Sequence, residues 1–192
     1  MIAIVKYNGG NTQSVENAIK RLGYDCIITD NADILLQADK VIFPGVGQAA
    51  SAMEYLKAKG LDKVLLSLKQ PVLGICLGLQ LMCRYTEEGN IPGLGIFNID
   101  VRKFPPTDIV PHVGWNTIKI NNSLLFKDIR DEEHFYFVHS YYASLSEDSI
   151  ARCDYILAYS AALQKNNFYA VQFHPEKSGV SGEKLLKNFL EL

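Results

Sequence analysis

A cysteine framed by two glycines is the residue in this sequence best placed to do chemistry. Gly74 and Gly78 lie two positions to either side of Cys76, between an apolar run and a predicted helix. Such a strand-to-helix turn presents a nucleophile, and the glycines let strand and helix approach without Cβ clashes. The N–H of Leu77, the next residue, points where an oxyanion would form. We therefore predict that Cys76 is a nucleophile, favoured as a thiolate by the positive end of the helix.

A histidine near the carboxyl end provides the proton shuttle that a thiolate needs. His174 follows the run Tyr169–Phe173, a predicted central strand, and Glu176 stands two residues beyond it. In an extended chain, residues two apart emerge on the same face, so Glu176 can hold one ring nitrogen while the other faces Cys76. Pro175 stiffens the link and ends strand pairing. The spacing predicts a Cys–His–Glu triad. Taken alone, the tripeptide His174-Pro175-Glu176 would favour a surface turn.

A third segment, Pro44–Gly47, also follows a predicted strand, Lys40–Phe43. Its two glycines flank Val46 and let a peptide plane rotate at little cost. We expect an N–H of Val46 or Gly47 to reach the site as the second oxyanion donor. On spacing alone, a plain strand-to-helix turn fits equally well.

Strands and helices alternate in the first half of the chain. The predicted strands are Ile2–Tyr7, Cys26–Thr29, Lys40–Phe43 and Val72–Ile75, and the predicted helices are Thr12–Leu22, Gln48–Lys59, a helix from Cys76 onward and the closing helix Ser181–Leu192. This alternation predicts an α/β fold with parallel strands joined by right-handed crossovers. The second half, from about Gly95 to Phe173, predicts antiparallel additions to the same sheet. Ligands bind beyond the carboxyl ends of parallel strands, which is where the three segments above lie.

Composition excludes several classes of function. The chain has 192 residues, 48% hydrophobic and 21% charged, as expected for one globular domain over residues 1–192. A net charge of -2 gives no reason to expect nucleic acid. No apolar run reaches the ~18 residues of a membrane span, and the first residues do not resemble a signal peptide, which favours a cytoplasmic location.

Cysteine and histidine spacing predicts no metal site and no disulfide framework. The remaining cysteines lack the glycine frame and are interpreted as small buried hydrophobes: Cys26, Cys83 and Cys153. His112 and His139 are interpreted as structural histidines.

Taken together, these segments resemble the class I, or triad, glutamine amidotransferases over essentially the whole chain. The resemblance implies a three-layer, flavodoxin-like α/β fold and hydrolysis of glutamine through a thioester, with no cofactor. It places Cys76, His174 and Glu176 on the triad positions. The implied oxyanion donors are Leu77, Val46 and Gly47, and the implied glutamine-binding wall consists of Gly45, Gln80, His139, Ser140 and Tyr141.

Within that family, Pro44–Gly47, Pro111–Asn116 and Tyr136–Tyr141 are similar to members that pass ammonia to a (β/α)8-barrel cyclase partner in histidine biosynthesis. The positions that resemble the partner-facing surface are Trp115, Asn116, Tyr136 and Lys177. A packing role for Trp115 is an equal alternative. Lys6 departs from the pattern, because many members carry an acidic residue there.

Other functions remain open at the level of sequence. The same chemistry serves sugar amidation and guanylate, anthranilate or pyridoxal phosphate synthesis. A non-catalytic regulatory subunit with the same fold, or a cysteine peptidase or amidase, is a further alternative.

Overall fold

Buried apolar runs form the strands of an eight-stranded sheet at the centre of the structure, a computed structural model that describes residues 1–192. The elements of the first half are β1 (Ile2–Val5), α1 (Thr12–Arg21), β2 (Cys26–Thr29), α2 (Ala32–Gln37), β3 (Lys40–Gly45), α3 (Ala49–Ala58), α4 (Leu61–Ser67), β4 (Val72–Cys76) and α5 (Leu77–Met82). All residues of β1 and of β4 are buried, as is typical of parallel strands covered on both faces.

Strands dominate the second half of the chain. Its elements are β5 (Cys83–Thr86), β6 (Ile91–Pro92), β7 (Phe97–Lys103), β8 (His112–Thr117), β9 (Lys119–Ile120), β10 (His134–His139), β11 (Tyr141–Ala143), β12 (Ser149–Asp154), β13 (Ala158–Lys165), β14 (Phe168–Val171) and α6 (Gly179–Leu190), with 3-10 helices at Leu124–Phe126 and Pro175–Lys177. No helix of the chain combines the length and the apolar character that a membrane crossing requires.

The main sheet has the strand order β2-β1-β3-β4-β14-β13-β12-β9. Its first five strands pair in parallel, and β13, β12 and β9 add to it in antiparallel fashion. The predicted fold class, a mostly parallel α/β sheet with antiparallel additions, is confirmed. Because β4 lies between β3 and β14, the carboxyl ends of these three parallel strands meet at one edge.

Two layers of helices cover the sheet because successive strand residues face opposite sides. Phe43 packs into a cluster with α2, α3, α4 and α5. Its neighbour Ile42 packs into a second cluster, with α1 and α6. The result is three layers, helix on sheet on helix.

Several predicted boundaries differ from the structure. The strand predicted to end at Phe43 continues through Pro44 and Gly45, which stay in parallel register with Ile75 and Cys76. The helices α2 and α4 were not predicted, since each spans at most two turns.

Some β-rich segments of the second half form separate sheets. The aromatic and β-branched run Phe135–Tyr142 is divided at Ser140. Before it, β10 pairs with β8 in a two-stranded ribbon; after it, β11 joins a four-stranded sheet of order β11-β7-β5-β6.

Close backbone contact explains the glycine after the predicted nucleophile. A Cβ atom at Gly78 would lie 1.9 Å from the backbone oxygen of Phe43 on β3. A Cβ atom at Gly74 would lie 3.0 Å from the carbonyl carbon of Gly78. Helix α5 therefore rests directly on the backbones of β3 and β4, which only glycine permits.

Replacing Gly78 by Ala is expected to lower the midpoint of thermal unfolding. The added methyl group overpacks a backbone contact, at a cost of about 1–3 kcal/mol. Gly10→Ala is the matched control, because the only close contact of its Cβ would be the methyl group of Thr12. Equal unfolding midpoints for the two variants would contradict this account of the turn.

Candidate active site

Cys76 lies at the carboxyl end of β4 in a strained backbone conformation. Its φ of 52° and ψ of -104° lie outside the regions that non-glycine residues favour. Such strain persists only when the surrounding structure enforces it, and it is concentrated at functional sites. The predicted strand-to-helix turn is thus present. The thiol is less exposed than such a turn suggests, because Cys76 is buried in the wall of a cavity of about 320 Å³.

His174 and Glu176 form a buried pair beside Cys76. The ring Nδ1 of His174 lies 2.8 Å from Oε1 of Glu176, and each side chain is only 1% exposed. The other ring nitrogen, Nε2, is buried and has no hydrogen-bond partner. Burial alone lowers the pKa of His174, but its interactions with the neighbouring Cys76 and Glu176 raise that pKa to about 10. The His174 ring, held by Glu176 and close to Cys76, is therefore favoured in its protonated form.

The sequence suggested that His174 and Glu176 meet along an extended chain. In the structure their contact instead arises through a turn. Strand β14 ends at Val171, and Glu176 lies in the 3-10 helix Pro175–Lys177. The turn folds the carboxylate back onto the ring of His174. Ser178 stabilises the turn, since its hydroxyl donates to the carbonyl of His174 at 2.6 Å.

Asn11 is a polar contact of this pair that the sequence did not reveal. Its Nδ2 donates to Oε1 of Glu176 at 3.1 Å, so one carboxylate oxygen is held by both Asn11 and His174. The other oxygen, Oε2, is buried without a partner. Asn11 lies in the turn after β1, whose carboxyl end shares the sheet edge with β3 and β4. The position of Asn11 directly after β1, at this shared edge, is the only sign in the sequence that it could contact Glu176.

The predicted oxyanion donors differ in their state. Leu77 is the first residue of α5, directly after the strained cysteine. The N–H of Val46 instead donates to the carbonyl oxygen of Gly9. The next residue, Gly47, has a φ of 105°, a conformation that only glycine adopts without strain. The Val46 N–H is therefore turned toward the β1 loop in this structure.

The wall of the cavity brings together most of the residues predicted to bind substrate. The predicted residues that line it are Val46, Gly47, Cys76, Leu77, Gln80, His139, Ser140 and Tyr141. Gln80 donates to the Tyr141 carbonyl at 3.0 Å and to Oε1 of Gln172 at 3.1 Å. Gln172 in turn lies with its Nε2 3.6 Å from the Cys76 sulfur. Gly45 does not line the cavity; it is buried against Tyr7 and Leu77.

Glu88 is the one carboxylate in the cavity wall, and no sequence motif pointed to it. Its Oε2 accepts the N–H of Ala49, the first residue of α3, at 3.0 Å. Burial raises the pKa of Glu88. A carboxylate held at the rim in this way is suited to a ligand that carries an ammonium group.

His112 and His139 belong to a buried polar network behind the wall. Nδ1 of His112 and Nε2 of His139 lie 3.2 Å apart, and the hydroxyl of Tyr159 lies 3.2 Å from both atoms. Burial lowers the pKa of His112 to about 4 and that of His139 to about 3. Both rings are neutral at physiological pH. Nδ1 of His139 bonds the Tyr141 carbonyl at 2.8 Å, so the network supports the wall, as expected of structural histidines.

The residues predicted to face a partner lie on the β8–β10 ribbon and just after the triad. Trp115 is 55% exposed, and its ring lies 6.0 Å from that of Tyr136, its neighbour in register. Lys177 ends the 3-10 helix that carries Glu176. Asn116 instead turns inward, where its Nδ2 donates to the carbonyl of Asp154 at 3.2 Å.

Comparison with known proteins gives consistent relatives. Residues 3–192 match the family model for glutamine amidotransferase class-I. A Bacteroides fragilis protein named imidazole glycerol phosphate synthase subunit HisH is 57% identical, over 100% of this chain and 99% of its own. A Buchnera aphidicola protein of the same name is 47% identical, over 100% of this chain and 99% of its own.

Solved structures show the same fold. One described as a glutamine amidotransferase has a TM-score of 0.77 at 17% identity, covering 100% of this chain and 98% of that one. The glutaminase domain of CTPS from Trypanosoma brucei has a TM-score of 0.68 at 19% identity, covering 99% of this chain and 93% of that one.

If Asn11 positions Glu176, replacing it with Asp should make glutamine hydrolysis strongly pH-dependent. The introduced carboxylate repels Glu176 at high pH, whereas at lower pH the two carboxyl groups retain one proton between them and restore a donor. The expected loss is about 10-fold to 100-fold at high pH, since hydrogen bonds to charged groups contribute about 1.5–3 kcal/mol. The measurement is kcat for glutamine hydrolysis against pH.

Asn8→Asp in the same turn is the matched control, because Asn8 donates to the carbonyl of Ser51 and not to the triad. A pH profile for Asn11→Asp that parallels that of wild type would rule out the positioning role.

Proposed function

We propose that this chain, which belongs to the class I glutamine amidotransferase family, hydrolyses glutamine to glutamate and ammonia with Cys76 as nucleophile. The observation that carries the proposal is the strained Cys76 in the wall of a cavity, with the buried His174–Glu176 pair beside it. A nucleophile, a base and a group that orients the base are the parts of a catalytic triad.

In the proposed reaction the Cys76 thiolate attacks the side-chain carbonyl carbon of glutamine. The N–H of Leu77, together with that of Val46 or Gly47, stabilises the tetrahedral oxyanion. His174, which the structure favours as an imidazolium, gives its proton to the departing ammonia. The neutral imidazole then takes a proton from water, which hydrolyses the thioester to glutamate and restores the thiolate. Glu176 keeps the ring oriented through both steps.

Glutamine recognition follows from the cavity wall. The Glu88 carboxylate is the group that suits the α-ammonium of glutamine, because it is the only negative side chain of the wall outside the triad. Backbone groups of His139, Ser140 and Tyr141, held by Gln80, supply neutral contacts. The proposed substrate-binding surface is therefore mainly backbone, with one charge that selects an amino acid.

The acceptor of the ammonia is inferred from the relatives. Proteins 46–57% identical over nearly their whole length are named imidazole glycerol phosphate synthase subunit HisH. We infer that this chain pairs with the (β/α)8-barrel cyclase subunit of that synthase, in the cytoplasm, for histidine biosynthesis. The exposed Trp115 and Lys177 and the half-buried Tyr136 form part of the proposed docking surface. Co-purification with an ATP-dependent synthetase instead of a cyclase would overturn this assignment.

The proposed site is incomplete in the isolated chain. Because the Val46 N–H is bonded to Gly9, that donor is directed away from the oxyanion position. Rotation of the Gly45–Val46 peptide breaks this bond and delivers the N–H. We expect the partner with its bound nucleotide to favour the rotated state.

Replacing Cys76 by Ala should abolish glutamate release, with a loss of about 1,000-fold or more, as for removal of other triad nucleophiles. The assay measures glutamate from the complex with its cyclase partner and the cyclase nucleotide. Cys26→Ser serves as control, because Cys26 lies on β2 away from the cavity. Undiminished turnover in Cys76→Ala would overturn the assignment.

Replacing Gly47 by Ala should reduce partner-stimulated glutamate release about 10-fold or more. No atom lies within 4 Å of the added Cβ, so the effect comes from the backbone at φ 105°, where a side chain costs about 1–3 kcal/mol. Gly23→Ala, at φ 85° and in equally open space, imposes a similar backbone cost far from the site. Stability should fall in both variants and stimulated activity in Gly47→Ala only; equal activities would exclude a role for the Gly47 backbone.

A further inference from the structure

A buried hydroxyl without a partner lies next to the proposed oxyanion segment. Tyr7 follows β1 and is 7% exposed, yet its hydroxyl oxygen contacts no hydrogen-bond donor or acceptor. Buried tyrosine hydroxyls usually have a partner, and leaving one unpaired costs about 1–3 kcal/mol. The unpaired hydroxyl calls for an explanation, since a phenylalanine would fill the same space without burying an unpaired polar group.

The hydroxyl is directed at the backbone of the segment that must rotate. A Cβ atom on Gly45 would lie 1.9 Å from the Tyr7 oxygen, so this oxygen is in contact with the Gly45 backbone. A Cβ atom on Gly9 would lie 2.6 Å from Cε2 of the Tyr7 ring. Tyr7 is therefore packed between Gly9 and Gly45. These two glycines flank the hydrogen bond from the Val46 N–H to the Gly9 carbonyl.

The geometry of the peptide between Gly45 and Val46 explains why a hydrogen-bond donor is useful next to Gly45. Its carbonyl and its N–H point in opposite directions, so a half turn exchanges them. When the Val46 N–H turns toward the oxyanion, the Gly45 carbonyl turns toward Gly9. Two carbonyl oxygens would then face each other in a buried space, which is unfavourable unless a donor lies between them.

We propose that Tyr7 is a positioning residue whose hydroxyl donates to the Gly45 carbonyl in the rotated state. This inference rests on the proposed function, because it concerns the state in which the Val46 N–H serves the oxyanion. The hydroxyl is unpaired in the resting state and paired in the active one, so it favours rotation without contacting substrate. Burial, and next the charge of Cys76, raise the pKa of Tyr7, which keeps its hydroxyl protonated and able to donate.

The test is Tyr7→Phe in the complex with the cyclase subunit, assayed for glutamate with and without the cyclase nucleotide. We expect the stimulated kcat to fall about 3-fold to 10-fold, the range of one neutral hydrogen bond of about 0.5–1.5 kcal/mol. The KM for glutamine should stay unchanged, because the Tyr7 hydroxyl does not contact substrate. Thermal unfolding should occur at the same or a higher temperature, because the resting state loses no hydrogen bond. A merely structural tyrosine would give the opposite pattern, with lower stability and no specific loss of stimulation.

Tyr169→Phe is the matched control, because Tyr169 is a buried tyrosine on β14 that does not line the cavity. If wild-type complex releases no glutamate, the proposed function fails. If wild type is stimulated and Tyr7→Phe is stimulated equally, only the role of Tyr7 fails. A structure of the stimulated complex with the Val46 N–H in the site should place the Tyr7 oxygen within hydrogen-bond distance of the Gly45 carbonyl; a longer separation would overturn the proposal.

Discussion

The sharp turn at Cys76 is the constraint on which the rest of the structure depends. To leave β4 and enter α5 within one residue, the chain adopts a φ of 52° at a side chain that disfavours it. The strain is tolerated because α5 is pressed against β3, where the Gly78 backbone meets the Phe43 carbonyl. The buried residues of β3 and the fully buried β4 hold the turn in place. The fold and the position of the proposed nucleophile are thus specified by the same packing.

Charge is distributed around this turn so that one cation faces several anionic groups. Burial lowers the pKa of His174, but its interactions with Cys76 and Glu176 outweigh burial and bring that pKa to about 10. The neighbouring histidines, His112 and His139, have the opposite balance because no carboxylate approaches them and burial dominates. Two kinds of histidine therefore stand within one small region, and the presence or absence of a carboxylate partner decides which can carry a proton.

How much of this was readable from the sequence depends on how local the cause is. The turn at Cys76 and the alternation of β1 to β4 with helices follow from patterns within a few residues, and they were predicted. The strand ends were predicted less accurately, since β3 continues two residues beyond Phe43. Asn11, Glu88 and Tyr7 were not predicted, because each acts on a residue that is distant in the chain: Glu176, Ala49 and Gly45. The His174–Glu176 contact was predicted from an extended geometry, whereas Pro175 begins a 3-10 turn that the spacing alone does not distinguish.

The position of Tyr136 on strand β10 has a consequence for how such a protein can change during evolution. Tyr136 holds the triad turn through its backbone alone: its carbonyl accepts the His174 N–H at 2.9 Å, and its N–H donates to the Ser178 hydroxyl at 3.0 Å. Its side chain points elsewhere, toward Trp115 on the exposed face of the ribbon. A new side chain at this position therefore alters the outer surface and leaves the hydrogen bonds to the catalytic turn intact. The proposed docking surface is therefore free to diversify, while the turn that carries His174 is held by main-chain hydrogen bonds.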